Sequence, residues 1–196
     1  MKTYKILLSI VLLLLLGISA QAETKIAIID LRKVFDEYFK TKAADANLKD
    51  KATELDKERK NFMDQYGKLR DDYKKALDGA QDQAVSADER EKRKKTGESK
   101  LLELKELEQT IEQFDRQSRT SLEEQQRRMR DNILKEIQGV ITTKAKSGNF
   151  SLVVDIASES FNKTPVVLYS NGENDLTTAV LKDLNSTAPL PAPTLK

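Results

Sequence analysis

From about residue 41 to residue 146, apolar side chains return at alternating steps of four and three, the heptad spacing that keeps one helix face against another. In the first half the seam reads Leu48, Ala52, Leu55, Arg59, Phe62, Tyr66, Leu69, Tyr73 and Ala76. In the second it reads Leu104, Leu107, Ile111, Phe114, Ser118, Leu122, Gln125, Met129, Ile133 and Val140, and no proline interrupts either half. Between them lie Gly79 and the run Ser86-Ala87-Asp88-Glu89. There a hydroxyl and a carboxylate three residues apart can satisfy the free N–H groups of a helix start. The pattern predicts an antiparallel helical hairpin: a helix out, a turn between Gly79 and Ser86, and a longer helix back. At 1.5 Å per residue, an arm of some forty residues reaches roughly 60 Å.

The flanks have a different period. Lys25 to Asp30 is a short β-branched run that reads as a buried strand. Leu31, Val34, Phe35, Tyr38 and Phe39 then share one helical face, with Asp30 placed to cap that helix or end the strand. After the arm, Ser147-Gly148-Asn149 supplies a helix stop. Phe150 to Asp155 and Pro165 to Tyr169 read as two more strands, and Asn171-Gly172 as a turn. Asn174-Asp175 opens a last helix with Leu176, Val180, Leu181 and Leu184 on one face. The chain thus reads as α+β, mostly α. The arm is 41–146, a β body is made of 23–40 and 147–185, and 186–196, with Pro189, Pro191 and Pro193, is a disordered tail. A body of this size is too small to bury an adequate core alone. The physical expectation is an oligomer built on the strands, with arms projecting from it.

Composition narrows the function. Among 196 residues there is no His, Cys or Trp, which removes the usual general base, thiol chemistry and the commonest metal ligands. No nucleophile–base pair, metal cluster or phosphate loop stands at motif spacing, so the expectation is no enzyme, no cofactor and no metal. Met1 to Lys5 is a basic stretch, Ile6 to Ile18 an apolar one, and Ala20-Gln21-Ala22 a small-residue cleavage site. Residues 1–22 therefore read as a cleaved signal peptide and the product as exported to the periplasm. Loss of Lys2 and Lys5 leaves 32 basic against 32 acidic side chains, a balance that argues against nucleic acid as a partner.

Two readings of the arm stay open. Arg59, Ser118 and Gln125 occupy seam positions that a stiff coiled coil gives to Leu or Ile, and Gly97 and Gly139 sit in the return helix. The arm is either an imperfect structural coiled coil, a scaffold of the cell envelope that binds a folded partner, or a bending limb. The bending limb would offer Phe62, Tyr66, Tyr73, Leu77, Phe114 and Met129 to a client. Arg90, Lys92, Arg93, Lys94 and Lys95 follow the turn as a candidate anionic contact, such as a transient one with a membrane surface. In the body, Ile26, Ile28, Val153, Val166 and Leu168 are the candidate contacts between copies.

Taken in order, Lys25-Ile26-Ala27-Ile28-Ile29-Asp30-Leu31, Val34-Phe35-Asp36-Glu37-Tyr38, the charged hairpin, Leu152-Val153-Val154-Asp155, Val166-Val167-Leu168-Tyr169 and Asp175-Leu176-Thr177 resemble the Skp/OmpH family of periplasmic chaperones. The resemblance covers the chain after residue 22 except the tail. It implies a homotrimer whose strands join in a small barrel, with three arms around a cavity. It also implies ATP-independent holding of unfolded outer-membrane proteins there. The balanced charge and the long connection from Asp155 to Val166 depart from the family pattern.

Overall fold

The computed structural model describes residues 24–189. The sequence read as a signal peptide, and residues 190–196 of the tail, lie outside the described residues. The chain runs β1 (Ile26–Ile29), α1 (Leu31–Glu37), α2 (Phe39–Ala80), α3 (Ala87–Ser147), β2 (Leu152–Asp155) and α4 (Thr177–Asn185). It is mostly helical, with a small parallel sheet.

Local chemistry sets the boundaries. The Asp30 carboxylate accepts from the Lys33 amide at 2.8 Å and caps α1. Tyr38, with φ −67° and ψ 128°, is extended and separates α1 from α2. Asn185 stabilises that break from 146 residues away: its side-chain oxygen accepts from the Phe39 amide at 2.9 Å. The same side chain donates to the Glu37 carbonyl at 3.2 Å, so groups orphaned by the break find partners. Ser86 caps α3 through the Glu89 amide. At the far end Gly148 caps α3 and Asn149, at φ 54°, turns left-handed.

α2 has 42 residues and α3 61, lengths of roughly 63 and 92 Å. Numbers on α3 fall as those on α2 rise: Lys40 meets Glu136, Arg59 meets Asp115, Tyr66 meets Glu108, and the Gly79 carbonyl meets Arg93. The last turns of α3 continue past the start of α2 into the core. That core joins Ala27, Ile29, Val34, Tyr38 and Ala44 to Ile133 and Ile137 and to Leu176, Val180 and Leu184. Four helices and β1 therefore share one buried cluster, drawn from both ends of the chain.

One expected strand is absent. Val166, Leu168 and Tyr169 are 59, 84 and 84% exposed, and Pro165 to Tyr169 makes one isolated bridge, Pro165 with Glu159. The second edge of β1 is taken by another stretch. The Ile28 amide donates to the Asn174 carbonyl and the Leu176 amide to the Ile28 carbonyl. β1 thus lies between β2, in the register Ile26↔Leu152 to Ile29↔Asp155, and a single parallel bridge at Asp175. Both edges of β1 are taken, and among the described residues Val166–Tyr169 pairs neither with β1 nor with the outer edge of β2.

Candidate functional site

Three regions carry the residues singled out by sequence: the arm, its tip and the outward face of the body. A fourth, the arm root, emerges from the structure.

Along the arm, Phe62 and Phe114 face each other across the helix pair, edge to face at 5.3 Å between centroids. Tyr66 donates to Glu108 at 2.7 Å, and this bond raises the phenol pKa above its ordinary value. Phe62, Tyr66, Tyr73 and Phe114 are half-buried, because seam positions turn toward the opposite helix. Met129 lies apart from them and packs against the core cluster at the arm root. The freer apolar groups of the arm are Leu77 at 37%, Met63 at 43% and Leu102 at 62% exposure. Met63 and Leu102 fall outside the heptad seam, which is why a search along the seam passes over them. Met63 and Ile111 border an open groove of about 320 Å³ with Glu108 and Glu112 at its edge.

At the tip the five basic residues divide. Arg90 donates to the Val85 carbonyl at 3.1 Å and Arg93 to Glu89 at 3.0 Å. Both are half-buried in the turn. Lys92, Lys94 and Lys95 are exposed. Of the five candidates three lysines are thus left exposed, with the two arginines engaged in closing the turn.

In the body the strand alternation sorts the candidates. Ala27 and Ile29 point into the core, so Ile26 and Ile28 point away. The register sets Leu152 beside Ile26 and Val154 beside Ile28 on that outward face, while Val153 pairs with Ala27 and packs against the core. Leu152, 52% exposed, belongs with Ile26 at 45%; the two-residue strand period contained that signal. Val166 and Leu168 are exposed on the same polypeptide excursion as Phe161.

The arm root holds a polar cluster of three side chains, Tyr38, Lys40 and Glu136. Buried Tyr38 donates to Glu136 at 2.7 Å, and Lys40 reaches the same oxygen at 2.7 Å. Lys40 first, then Tyr38, hold the Glu136 carboxyl below the ordinary carboxylate range. Burial and Glu136 together raise the Tyr38 phenol, and the Glu136 hydrogen bond raises Lys40. The partners are about a hundred residues apart, so spacing in the sequence holds no trace of the cluster. Its chemistry is structural: it fixes the start of α2 on α3. Among the described residues no group of three or more carboxylates gathers as a metal site, and no helix is long and apolar enough to cross a membrane.

Residues 25–184 match the family model described as outer membrane protein (OmpH-like). Among curated proteins, the chaperone protein Skp of Blochmanniella pennsylvanica (strain BPEN) is 28% identical over 190 residues, spanning 94% of this chain and 99% of that protein.

Proposed function

The chain belongs to the Skp/OmpH family, and from that premise we propose that it is an ATP-independent periplasmic holdase for unfolded outer-membrane β-barrel proteins. In this reading residues 23–40 and 147–185 form the body, and three copies close it into a barrel. Residues 41–146 form an antiparallel hairpin arm, and three arms enclose a cavity. The observation that carries the reading is the apolar surface left open on the body of a single chain: Ile26, Leu152, Val166, Leu168 and Tyr169 are all about half or more exposed. Large apolar side chains left in water in this number mark an interaction site. Beyond Val166, whose amide donates to the Ser158 carbonyl, the stretch to Tyr169 joins no sheet among the described residues, which suits it to strand addition by another copy.

The mechanism follows from the arm's surface. An unfolded barrel strand exposes alternating apolar side chains and unpaired backbone groups. The arm offers small separated apolar groups, Met63, Leu77 and Leu102 with the edges of Tyr66 and Tyr73, among charges of both signs. Each contact is weak, so many together retain a client while no single one blocks release. Phe62, Phe114 and Met129 act indirectly, by holding the helices that present the others. Export through cleavage after Ala22 places the protein where such clients pass. The test is aggregation of a urea-diluted outer-membrane barrel protein, measured by light scattering without nucleotide. The reading predicts suppression at saturating amounts of the chain; unchanged scattering contradicts it. Retention of one folded partner in stoichiometric amount, with no effect on unfolded ones, supports a scaffold instead.

A further inference from the structure

Midway along the arm, the groove of about 320 Å³ between α2 and α3 is lined by Met63, Tyr66, Ile111, Glu108 and Glu112. Three of these are apolar or aromatic, and both charged ones are carboxylates. Glu108 and Glu112 stand one turn apart on α3, close enough to repel each other along the helix. Elsewhere the two helices match a cation with a carboxylate: Lys40 of α2 meets Glu136 of α3, and Arg59 meets Asp115. At this rung α2 supplies a neutral phenol instead. Tyr66 donates to Glu108 at 2.7 Å, which holds the carboxylate in place without cancelling its charge, and among the described residues Glu108 is in no ion pair. Arg116 reaches Glu112 at 3.4 Å from its own helix, but the two side chains are 71 and 70% exposed, and a pair so solvated is weak. Arg59 and Arg70, on α2 to either side of the groove, are turned to Asp115 and Asp71. An apolar trough with uncancelled negative charge at its edge is left open on the arm.

That combination selects its occupant by charge and shape. Arginine and lysine carry a cation at the end of an aliphatic stem, and they bury the stem along apolar surface while the head stays at the polar edge. An aromatic wall adds to the attraction of the cation, and the planar guanidinium can bond a carboxylate through two N–H groups at once. We propose that this groove takes an arginine or lysine side chain of an unfolded client, its stem against Met63 and Ile111 and its head at Glu108 and Glu112. The inference rests on the holdase reading for the source of that side chain, and it deepens the reading. The arm then selects client segments in which a basic residue stands among apolar ones, rather than apolar surface alone. The contact is exposed and electrostatic, so it is weak and falls with salt, as a holder that must release its client requires.

Methionine methyl NMR tests it directly. Past residue 22 the chain has two methionines: Met63 lines this groove and Met129 packs at the arm root, where it serves as the internal control. The probe is a short blocked peptide with one arginine between two leucines, beside twins that carry glutamine or glutamate in its place. At low salt the arginine peptide moves the Met63 resonance saturably and leaves Met129 in place, and the glutamine and glutamate twins bind about ten-fold more weakly, the worth of two exposed ion pairs. Glu108→Gln with Glu112→Gln, which keeps an acceptor for Tyr66, removes the preference for arginine while the helical circular dichroism stays unchanged. Equal binding of all three peptides, equal movement of both methyls, or an unmoved Met63 overturns the proposal. The two readings fail separately. Suppressed scattering of a barrel protein by a chain whose Met63 ignores the arginine peptide overturns the groove and leaves the holdase. Arginine binding at Met63 without suppression supports the groove as a site for basic segments and removes the unfolded client as their source.

Discussion

Tyr38 is a non-helical residue between two helices, and side chains remote in sequence hold it there. Its hydroxyl bonds to Glu136, and Asn185 satisfies the backbone on both sides. Tyr38→Phe removes the hydrogen bond but keeps the buried ring. With Glu136 44% exposed, water replaces part of the loss, and the expected cost is about 1 kcal/mol in urea unfolding. Asn185→Ala strands a helix-start amide as an N-cap deletion does, at about 1–2 kcal/mol. Ile137, fully buried, is the larger case: Ile137→Ala leaves a cavity at the junction of four helices and costs about 2–5 kcal/mol. The root cluster also sets a pH dependence. Glu136 has a lowered folded pKa, so its contribution is present above the ordinary carboxylate value and is lost as pH falls through the lowered one. Tyr38 and Lys40 have raised folded pKa values, so theirs is full below their ordinary values and is lost as pH rises through the raised ones. The stability gap between wild type and Glu136→Gln is therefore flat from about pH 5 to pH 9 and closes toward acid. A gap that widens below pH 4 contradicts this assignment.

At the scale of elements, the two long helices were legible because heptad spacing and the Ser86 cap are local signals. The expected turn falls where α2 ends at Ala80 and Ser86 caps α3. The break at Tyr38 was not legible. Leu31 to Phe39 has continuous helical periodicity without Pro or Gly, and what interrupts it, Asn185, is 147 residues away. The Val166–Tyr169 run shows the opposite failure. Its composition is that of a strand, but composition does not name a partner edge: Asn174–Leu176, a sequence that reads as a helix start, takes the second edge of β1, and among the described residues nothing pairs with the outer edge of β2. Gly139 distinguishes tolerance from need. A Cβ there meets nothing within 4 Å, so packing does not require glycine, and Gly139→Ala raises stability by up to about 1 kcal/mol. Gly148 is different, because a Cβ there collides with the Phe150 ring and crowds the Lys144 carbonyl. Gly148→Ala lowers the urea midpoint while Gly139→Ala raises it; the reverse order contradicts the packing at the end of α3.

For the whole molecule, the division of apolar surface decides the account. The core of a single chain is narrow and shared between its two ends, while the outward face of the sheet and the 156–174 excursion leave large side chains in water. Leu168, 84% exposed, contributes nothing to the fold of one copy. On the proposed trimer, Leu168→Asp leaves the helical circular dichroism of the chain unchanged but separates the copies in analytical ultracentrifugation; loss of helix instead places Leu168 in the monomer's own core. The inward and outward assignments of Ile26, Ile28 and Val153 follow from strand alternation once β1 and β2 are paired, and that pairing across 126 residues was not visible in either strand alone. The most direct measurement is native mass spectrometry of the chain from Glu23, alone and after dilution of an unfolded outer-membrane barrel protein into it. The account predicts three copies alone and three copies with one barrel protein bound. A folded monomer in dilute solution, unchanged in mass by the unfolded protein, contradicts it.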